Sequence, residues 1–323
     1  MGLESRVGAE RIGEAFGQVM RKGGTMSEMD GLTPERIQLV DRLIDLAIDE
    51  DIGEGDATTR ALFPSPGHAV GGFVAREAGV MAGGDVVGRF YARMGARFAD
   101  DAGAVRIEMV KKDGESFSGG DVLLGVSGSA SVILMGERVA LNLLQRMCGI
   151  AARTRQFVER IAGTPAKMYD TRKTTPGHRV LDKLAVRAGG GENHRMGLYD
   201  MILIKDNHLA AYGGPAKAVE KARERSSLPV MVEVDTLEQL RDALTAEPDY
   251  VLLDNMGPDM LSEAVRLTND FAAGRGLKRP ALEASGGVTL DTVGAVAKTG
   301  VERISTSQLT NGAGSVDIGL DFE

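Results

Sequence analysis

From residue 167 onward, short apolar runs alternate with helical stretches, and nearly every run stops on a polar or charged residue. The runs are 167–170, 201–205, 230–233, 250–254, 282–285 and 302–305, and helical spacing covers 180–188, 214–225, 237–246, 259–273 and 290–299. Strand–helix repetition of this kind makes a parallel sheet with right-handed crossovers. Six units suffice to curl such a sheet into a closed or nearly closed barrel. The strand ends Asp170-Thr-Arg-Lys173, Lys205, Glu233, Asp254, Ser285 and Ser305-Thr306 then share one face, the face on which α/β barrels carry their sites. A single polar strand end is an ordinary cap or solvent contact. The whole set in one frame of the fold predicts a shared site.

The chain before this region reads differently. A helix runs from Ala130 through Arg160, with Val139, Leu143, Arg146, Met147 and Ile150 at helical spacing. Ahead of it lie short strands at 72–76, 79–82, 106–110 and 122–127 and a helix at 84–94, an α+β region. The first helix starts with Thr33 as N-cap and Pro34 at its first position. Residues 1–32 have no apolar secretory core and read as a flexible leader, with Met26 as an alternative start. The Asp/Gly-rich stretch 51–56 lacks the register of a calcium-binding loop and reads as a turn.

Composition removes several classes of function. The net charge is -8, aromatic residues are 4% and Trp is absent, which disfavours a nucleic-acid binder. No run is long and apolar enough for a membrane helix. The single Cys148 sits among apolar helix positions, so it predicts a core thiol and excludes an intrachain disulfide. A soluble, cytoplasmic protein with small-molecule partners is expected.

Local charge then points to the substrate. Between residues 170 and 205, seven Lys and Arg stand against four Asp and Glu, and three of the four histidines lie within 178–208. Such an excess suits a small polyanion, since Arg holds carboxylate or phosphate in a fork and Lys adds a compact charge. Arg179, Lys183 and Arg187 are set aside as a solvated helix face. Ser285-Gly286-Gly287, between a strand and a helix, offers backbone N–H groups to a phosphate. Glu233 and Asp254, on neighbouring strands, suit ribose hydroxyls or Mg²⁺, or else a structural pair with Lys205.

Several longer motifs occur in fixed order: Glu50-Asp-Ile-Gly-Glu-Gly-Asp-Ala-Thr-Thr59, Gly136-Glu-Arg-Val-Ala-Leu-Asn142, Asp170-Thr-Arg-Lys-Thr-Thr-Pro176 and Gly189-Gly-Gly-Glu-Asn-His-Arg195. Ile202-Leu-Ile-Lys-Asp-Asn-His208, Val232-Glu-Val234, Leu253-Asp-Asn-Met256 and Glu283-Ala-Ser-Gly-Gly287 follow. With these the chain resembles the quinolinate phosphoribosyltransferases, the carboxylating nicotinate-nucleotide diphosphorylases among the type II phosphoribosyltransferases. The resemblance implies an N-terminal α/β sandwich over 33–137, joined by 307–323, and an incomplete, six- to seven-stranded TIM-like α/β barrel over 138–306.

It also implies an enzyme, a pentosyltransferase of de novo NAD biosynthesis. Quinolinate and 5-phosphoribosyl-1-pyrophosphate (PRPP) would give nicotinate mononucleotide, pyrophosphate and CO₂ with Mg²⁺ as cofactor. The assembly implied is a homodimer, or a higher oligomer built on it, with shared sites. Arg138 would reach from the partner subunit, and Arg172, His194, Arg195 and Lys205 would surround the quinolinate carboxylates. Thr171, Lys173, Glu233, Asp254, Ser285, Gly286, Gly287 and Ser307 would hold PRPP, with Glu233 and Asp254 at the metal, directly or through water. Lys173, Lys205, Glu233 and Asp254 form the implied catalytic set. One departure stands out: Ser307 and Asn311 occupy positions where many relatives carry Gly and His.

Overall fold

Thr33 opens the first helix as its sequence requires. The Thr33 hydroxyl accepts from the Arg36 N–H, Pro34 takes the first position, and the helix Pro34–Asp51 buries Val40, Ile44 and Ile48. The computed structural model describes residues 28–62, 67–98 and 100–322. The expectation for residues 1–27 lies outside these, while Glu28–Gly31 forms a 3-10 turn with Met29 buried. By its internal contacts the chain divides into two units: residues up to 153 with 175–190 and 313–323, and residues 154–174 with 191–312. The first unit therefore extends past the expected 137/138 boundary and takes a helix from inside the expected barrel segment.

In the first unit, strands β1 (His68–Ala75), β5 (Val122–Ser129), β3 (Arg106–Met109) and β12 (Ile318–Phe322) form an antiparallel sheet in the order β12-β1-β5-β3. β12 adds to the outer edge of β1, and Gln145 holds the approach to it through its side-chain amide on the Ile318 carbonyl. A small pair, β2 (Gly79–Val80) with β4 (Ser116–Phe117), stands apart from this sheet. The helix Gly84–Phe98 lies along Pro34–Asp51, and a ladder of Arg89–Asp41, Arg93–Asp45 and Arg97–Asp49 joins them. Each rung is displaced four residues from the last, one helical turn, so the rungs stack on one face. The Asp/Gly stretch at 51–56 is a turn, and the Asp56 carboxylate caps the helix Ala57–Leu62 by accepting from the Thr58 N–H and the Thr59 hydroxyl. Cys148 is fully buried, as expected.

One expectation fails in this unit. Of Arg179, Lys183 and Arg187, read as a solvated helix face, Lys183 is only 2% exposed, whereas Arg187 is exposed and Arg179 half-buried. The helix Arg179–Ala188 is buried on most of its circumference, and its Asp182 receives the Arg146 guanidinium at 2.9 and 3.0 Å.

The second unit is built on six parallel strands: β6 (Lys167–Tyr169), β7 (Ile202–Ile204), β8 (Val230–Val234), β9 (Tyr250–Asp254), β10 (Ala281–Ser285) and β11 (Arg303–Ser305). They run in the order β6-β11-β10-β9-β8-β7. β6 and β7 are not paired with each other, so the barrel is incomplete. Beyond β6, a single parallel bridge from Tyr169 to Glu192 takes the place of a seventh strand. Strand periodicity sets the two faces. Val234, Leu253, Ala284 and Ile304 align in register and are buried together. Their neighbours Glu233, Leu252, Glu283 and Arg303 form the next row and point to the other face, the barrel interior. Among the described residues, no helix is long and apolar enough to cross a membrane.

Candidate active site

A cavity of about 620 Å³ opens at the carboxyl ends of these strands; β7 to β11 or the residues that end them line it, and β6 contributes through the segment that follows it. The alternation explains which residues arrive there. Leu203 and Lys205, Leu252 and Asp254, and Glu283 and Ser285 are two-residue steps along one strand face. Thr171, Arg172 and Lys173 follow β6, and His194 and Arg195 come from the segment after the Tyr169–Glu192 bridge. Thr171, Arg172, Lys173, His194, Arg195, Lys205, Glu233, Asp254, Ser285, Gly286 and Gly287 were all expected from the sequence, and all line this cavity.

Two expected residues do not. Ser307 lies in the 3-10 turn Ser307–Leu309, whose cap is Thr306, and its carbonyl is taken by the N–H groups of Thr310 and Asn311. The turn ends the barrel strand and keeps Ser307 out of the cavity wall. Arg138 is exposed on the helix Ala130–Arg160 in the other unit. Conversely, Asn255, Glu283 and Ser305 line the cavity, although no role was expected of them individually. Their signal was present as motif membership and strand-end position, without a chemistry to single them out.

The cations are held close together. Burial, followed by the positive charge of Arg172, pushes the Arg195 guanidinium below its ordinary value, with Asp200 opposing both. The Asp200 carboxylate accepts from the Met196 and Gly197 N–H groups, and the Met201 carbonyl accepts from Arg195 at 3.1 Å. Arg195 is therefore fixed by its own loop while it faces a like charge. An anion between Arg172 and Arg195 would relieve that repulsion.

His194 is oriented at three atoms. Its backbone N–H donates to the Asp170 carboxylate at 2.8 Å, and its Nδ1 accepts from the Arg195 N–H at 2.7 Å. That contact assigns the ring proton to Nε2, which faces Glu283 Oε1 at 3.4 Å. Glu283 is fully buried, and its other oxygen accepts from Arg303 Nε at 2.7 Å. Arg303 in turn lies over the Tyr169 and Tyr250 rings at 3.6 and 4.8 Å. Burial pushes the Glu283 carboxyl up, but His194, Arg303 and the Ser305 hydroxyl outweigh it and hold the group below the usual carboxylate range. Glu283 is thus neutralised within the barrel by Arg303 and His194.

The opposite chemistry sits on β8 to β10. Glu233 meets Lys205 at 3.3 Å, and Asp254 stands on the adjacent strand. Two carboxylates at the ends of neighbouring strands offer the oxygen ligands of a hard cation such as Mg²⁺, which takes one or two of them and completes its shell with water and phosphate oxygens. Among the described residues, no group of three or more His, Cys, Asp or Glu side chains forms a self-sufficient metal cage. A metal here would therefore need oxygens from a bound ligand. Gly286 and Gly287 line the same cavity with φ of 89° and 63°, a left-handed pair that glycine takes up without strain.

The chain is similar to known proteins over most of its length. Residues 56–148 match the family model described as "Quinolinate phosphoribosyl transferase, N-terminal domain", and residues 150–321 match its C-terminal counterpart. A probable carboxylating nicotinate-nucleotide pyrophosphorylase of Bacillus subtilis is 42% identical over 277 residues, covering 84% of this chain and 89% of that protein. The carboxylating nicotinate-nucleotide pyrophosphorylase of Mycobacterium leprae is 42% identical over 278 residues, covering 85% and 94%. The crystal structure of NadC from Streptococcus pyogenes superposes with a TM-score of 0.80 at 36% identity, covering 90% of this chain and 99% of that one.

Proposed function

From the premise that this chain belongs to the quinolinate phosphoribosyltransferase family, we infer that its cation-rich rim binds the pyridine diacid and its β8–β10 side binds PRPP. The reaction is that of the family: the phosphoribosyl group of PRPP passes to quinolinate, and nicotinate mononucleotide, pyrophosphate and CO₂ are formed. It is a pentosyl transfer that serves de novo NAD biosynthesis.

The placement of Arg172, Arg195 and Lys205 in one cavity wall is the observation that carries the reading, since three cations about one cavity suit a substrate with more than one negative group. Arg172, His194, Arg195 and Lys205 hold the two carboxylates and aim the ring nitrogen at the anomeric carbon. Thr171 and Lys173 meet the pyrophosphate side, and Ser285 with the Gly286-Gly287 turn takes the 5′-phosphate. Glu233 and Asp254 take the ribose hydroxyls and are the residues that would hold Mg²⁺, whose chemistry is to neutralise charge on the departing pyrophosphate.

The nitrogen–carbon bond forms as the carbon–oxygen bond to pyrophosphate breaks. Loss of CO₂ then leaves an electron pair at ring C2, which the quaternised nitrogen offsets until a proton enters from water. Positioning and fixed charge do most of the work, because neither bond change needs a strong acid or base from the protein.

A homodimer completes the site in this reading, with Arg138 reaching the quinolinate carboxylates of the partner's cavity, and the enzyme works in the cytoplasm. The test is direct. Pure protein with PRPP and Mg²⁺ should form nicotinate mononucleotide and release CO₂ with quinolinate. It should turn over nicotinate poorly, since a missing 2-carboxylate forfeits its charged contacts with this cation set. Efficient use of nicotinate at equal concentration would overturn the diacid assignment.

A further inference from the structure

Asn255 immediately follows Asp254 at the end of β9, and three features make it unlike an ordinary turn residue. Its backbone is left-handed, with φ of 54°, one of two such non-glycine residues among those described. Its backbone N–H donates to the Ser285 carbonyl at 2.9 Å, which continues the β9–β10 pairing one residue beyond the Asp254–Ser285 register pair. Its side-chain Nδ2 donates to Asp254 Oδ2 at 2.7 Å. The remaining amide atoms lie against Gly286, where a Cβ would collide with Asn255 Oδ1 and come within 2.7 Å of its Cγ. The Asn255 amide thus fills the space that the missing side chain of Gly286 leaves.

One amide therefore touches two parts of the cavity wall with separate duties. On one side is the carboxylate assigned to ribose and metal, and on the other is the turn assigned to the 5′-phosphate. Because a carboxylate only accepts, the donor toward Asp254 must be the NH₂ group, and the oxygen must face Gly286. The left-handed backbone is what aims the side chain back at its own neighbour. A residue at φ near −60° would project elsewhere, so the strain and the contact form one device.

We propose that Asn255 is a positioning residue for PRPP, locking the Asp254 carboxylate and the Gly286 turn at the separation that ribose and 5′-phosphate require. This rests on the reading of the site given above. It predicts an effect on PRPP that leaves quinolinate untouched, because the contacts of Asn255 run to Asp254, Ser285 and Gly286, all on the side assigned to PRPP.

The simpler explanation is that Asn stands here only because it tolerates left-handed backbone better than other side chains. Two variants separate these. Asn255→Gly keeps the backbone free to adopt φ of 54° and removes the amide. Asn255→Asp keeps the tolerance and the shape but cannot donate to Asp254. Steady-state kinetics would be measured with quinolinate and PRPP varied in turn, alongside calorimetric titration of each free variant with quinolinate and with PRPP, and thermal unfolding as a control of the fold.

Both variants should unfold near the parent temperature and bind quinolinate within about twofold of the parent. Both should lose about tenfold in kcat/KM for PRPP and weaken in the PRPP titration, with Asn255→Asp the worse, since it sets a second carboxylate beside the first. Parent-like PRPP kinetics in Asn255→Gly would reduce Asn255 to a backbone role and overturn the proposal. So would a loss shared equally between the two substrates. An inactive parent enzyme would instead remove the functional reading itself, and the role of Asn255 with it.

Discussion

Lys205 shows how a single side chain can be read from its strand. It ends the apolar run of β7, lies in the cavity wall and meets Glu233 at 3.3 Å. Its proposed work is electrostatic, a positive charge near carboxylate oxygens, so Lys205→Arg should keep part of the activity. Lys205→Met, similar in length and neutral, should lose about ten- to a hundredfold in kcat/KM, the worth of one contact to a charged group. A Met variant as active as the parent, or a borohydride-trapped substrate adduct on Lys205, would refute this role. Cys148 is the contrasting case. Burial pushes its thiol up to about 12, and the weak contact to the Ala82 carbonyl at 3.6 Å does not offset it. The folded protein should resist thiol-specific labelling at pH 8 and react fully once unfolded in guanidinium. Rapid labelling of the native protein would contradict the buried assignment.

At the scale of elements, the helix pair Pro34–Asp51 and Gly84–Phe98 illustrates how charge pattern and packing combine. Val40, Ile44 and Ile48 are buried on one helix, and Val86, Val87, Phe90, Tyr91 and Met94 on the other. The Arg–Asp ladder runs beside this apolar contact at the partly exposed margin. Ion pairs of that exposure contribute little, so Arg93→Ala should cost less than about 1 kcal/mol in chemical denaturation. The difference should shrink further in 1 M salt, where exposed charges are screened. A larger, salt-independent loss would mean that Arg93 acts by packing its stem and not by charge. The barrel strands teach the complementary lesson, because their two-residue period alone divides the apolar row Val234, Leu253, Ala284 and Ile304 from the functional row beside it.

For the whole molecule, the buried Glu283 pair gives a pH dependence with a definite sign. The folded-state carboxyl lies below its ordinary value of 4.5, so its contribution is complete above that pH and is lost as pH falls through the folded value. Glu283→Gln strands the Arg303 guanidinium and should cost about 3 kcal/mol near pH 7. The gap to the parent should narrow in thermal unfolding below pH 4.5, and a gap independent of pH would argue against an ionised Glu283. Assembly is tested by mixing. Arg138→Ala and Lys173→Ala should each be nearly inactive alone, and heterodimers should regain part of the activity, because one site would hold both residues. No recovery after verified subunit exchange would count against a shared site.

Much of the site was legible before any coordinates, because the information is local. An apolar run that stops on Lys205, Glu233 or Asp254 states both the strand and the charge at its end, and parallel topology brings such ends to one face. The helix starts at Thr33 and Pro34 were legible for the same reason, since capping involves only near neighbours. What stayed hidden depends on residues far apart in the chain. Lys183 reads as a surface cation until its helix is buried, and β12 reads as a tail until β1 offers it an edge. Glu283 becomes a neutralised buried carboxylate only where β10 and β11 set it beside Arg303 and the loop brings His194. Ser307 lies outside the cavity lining because the chain turns directly after β11, into the 3-10 turn Ser307–Leu309. Asn255 gained its contact with Gly286 because the register between β9 and β10 places those two turns side by side. Sequence periodicity determined which residues face inward; only the register of strands distant in sequence decided which of them meet.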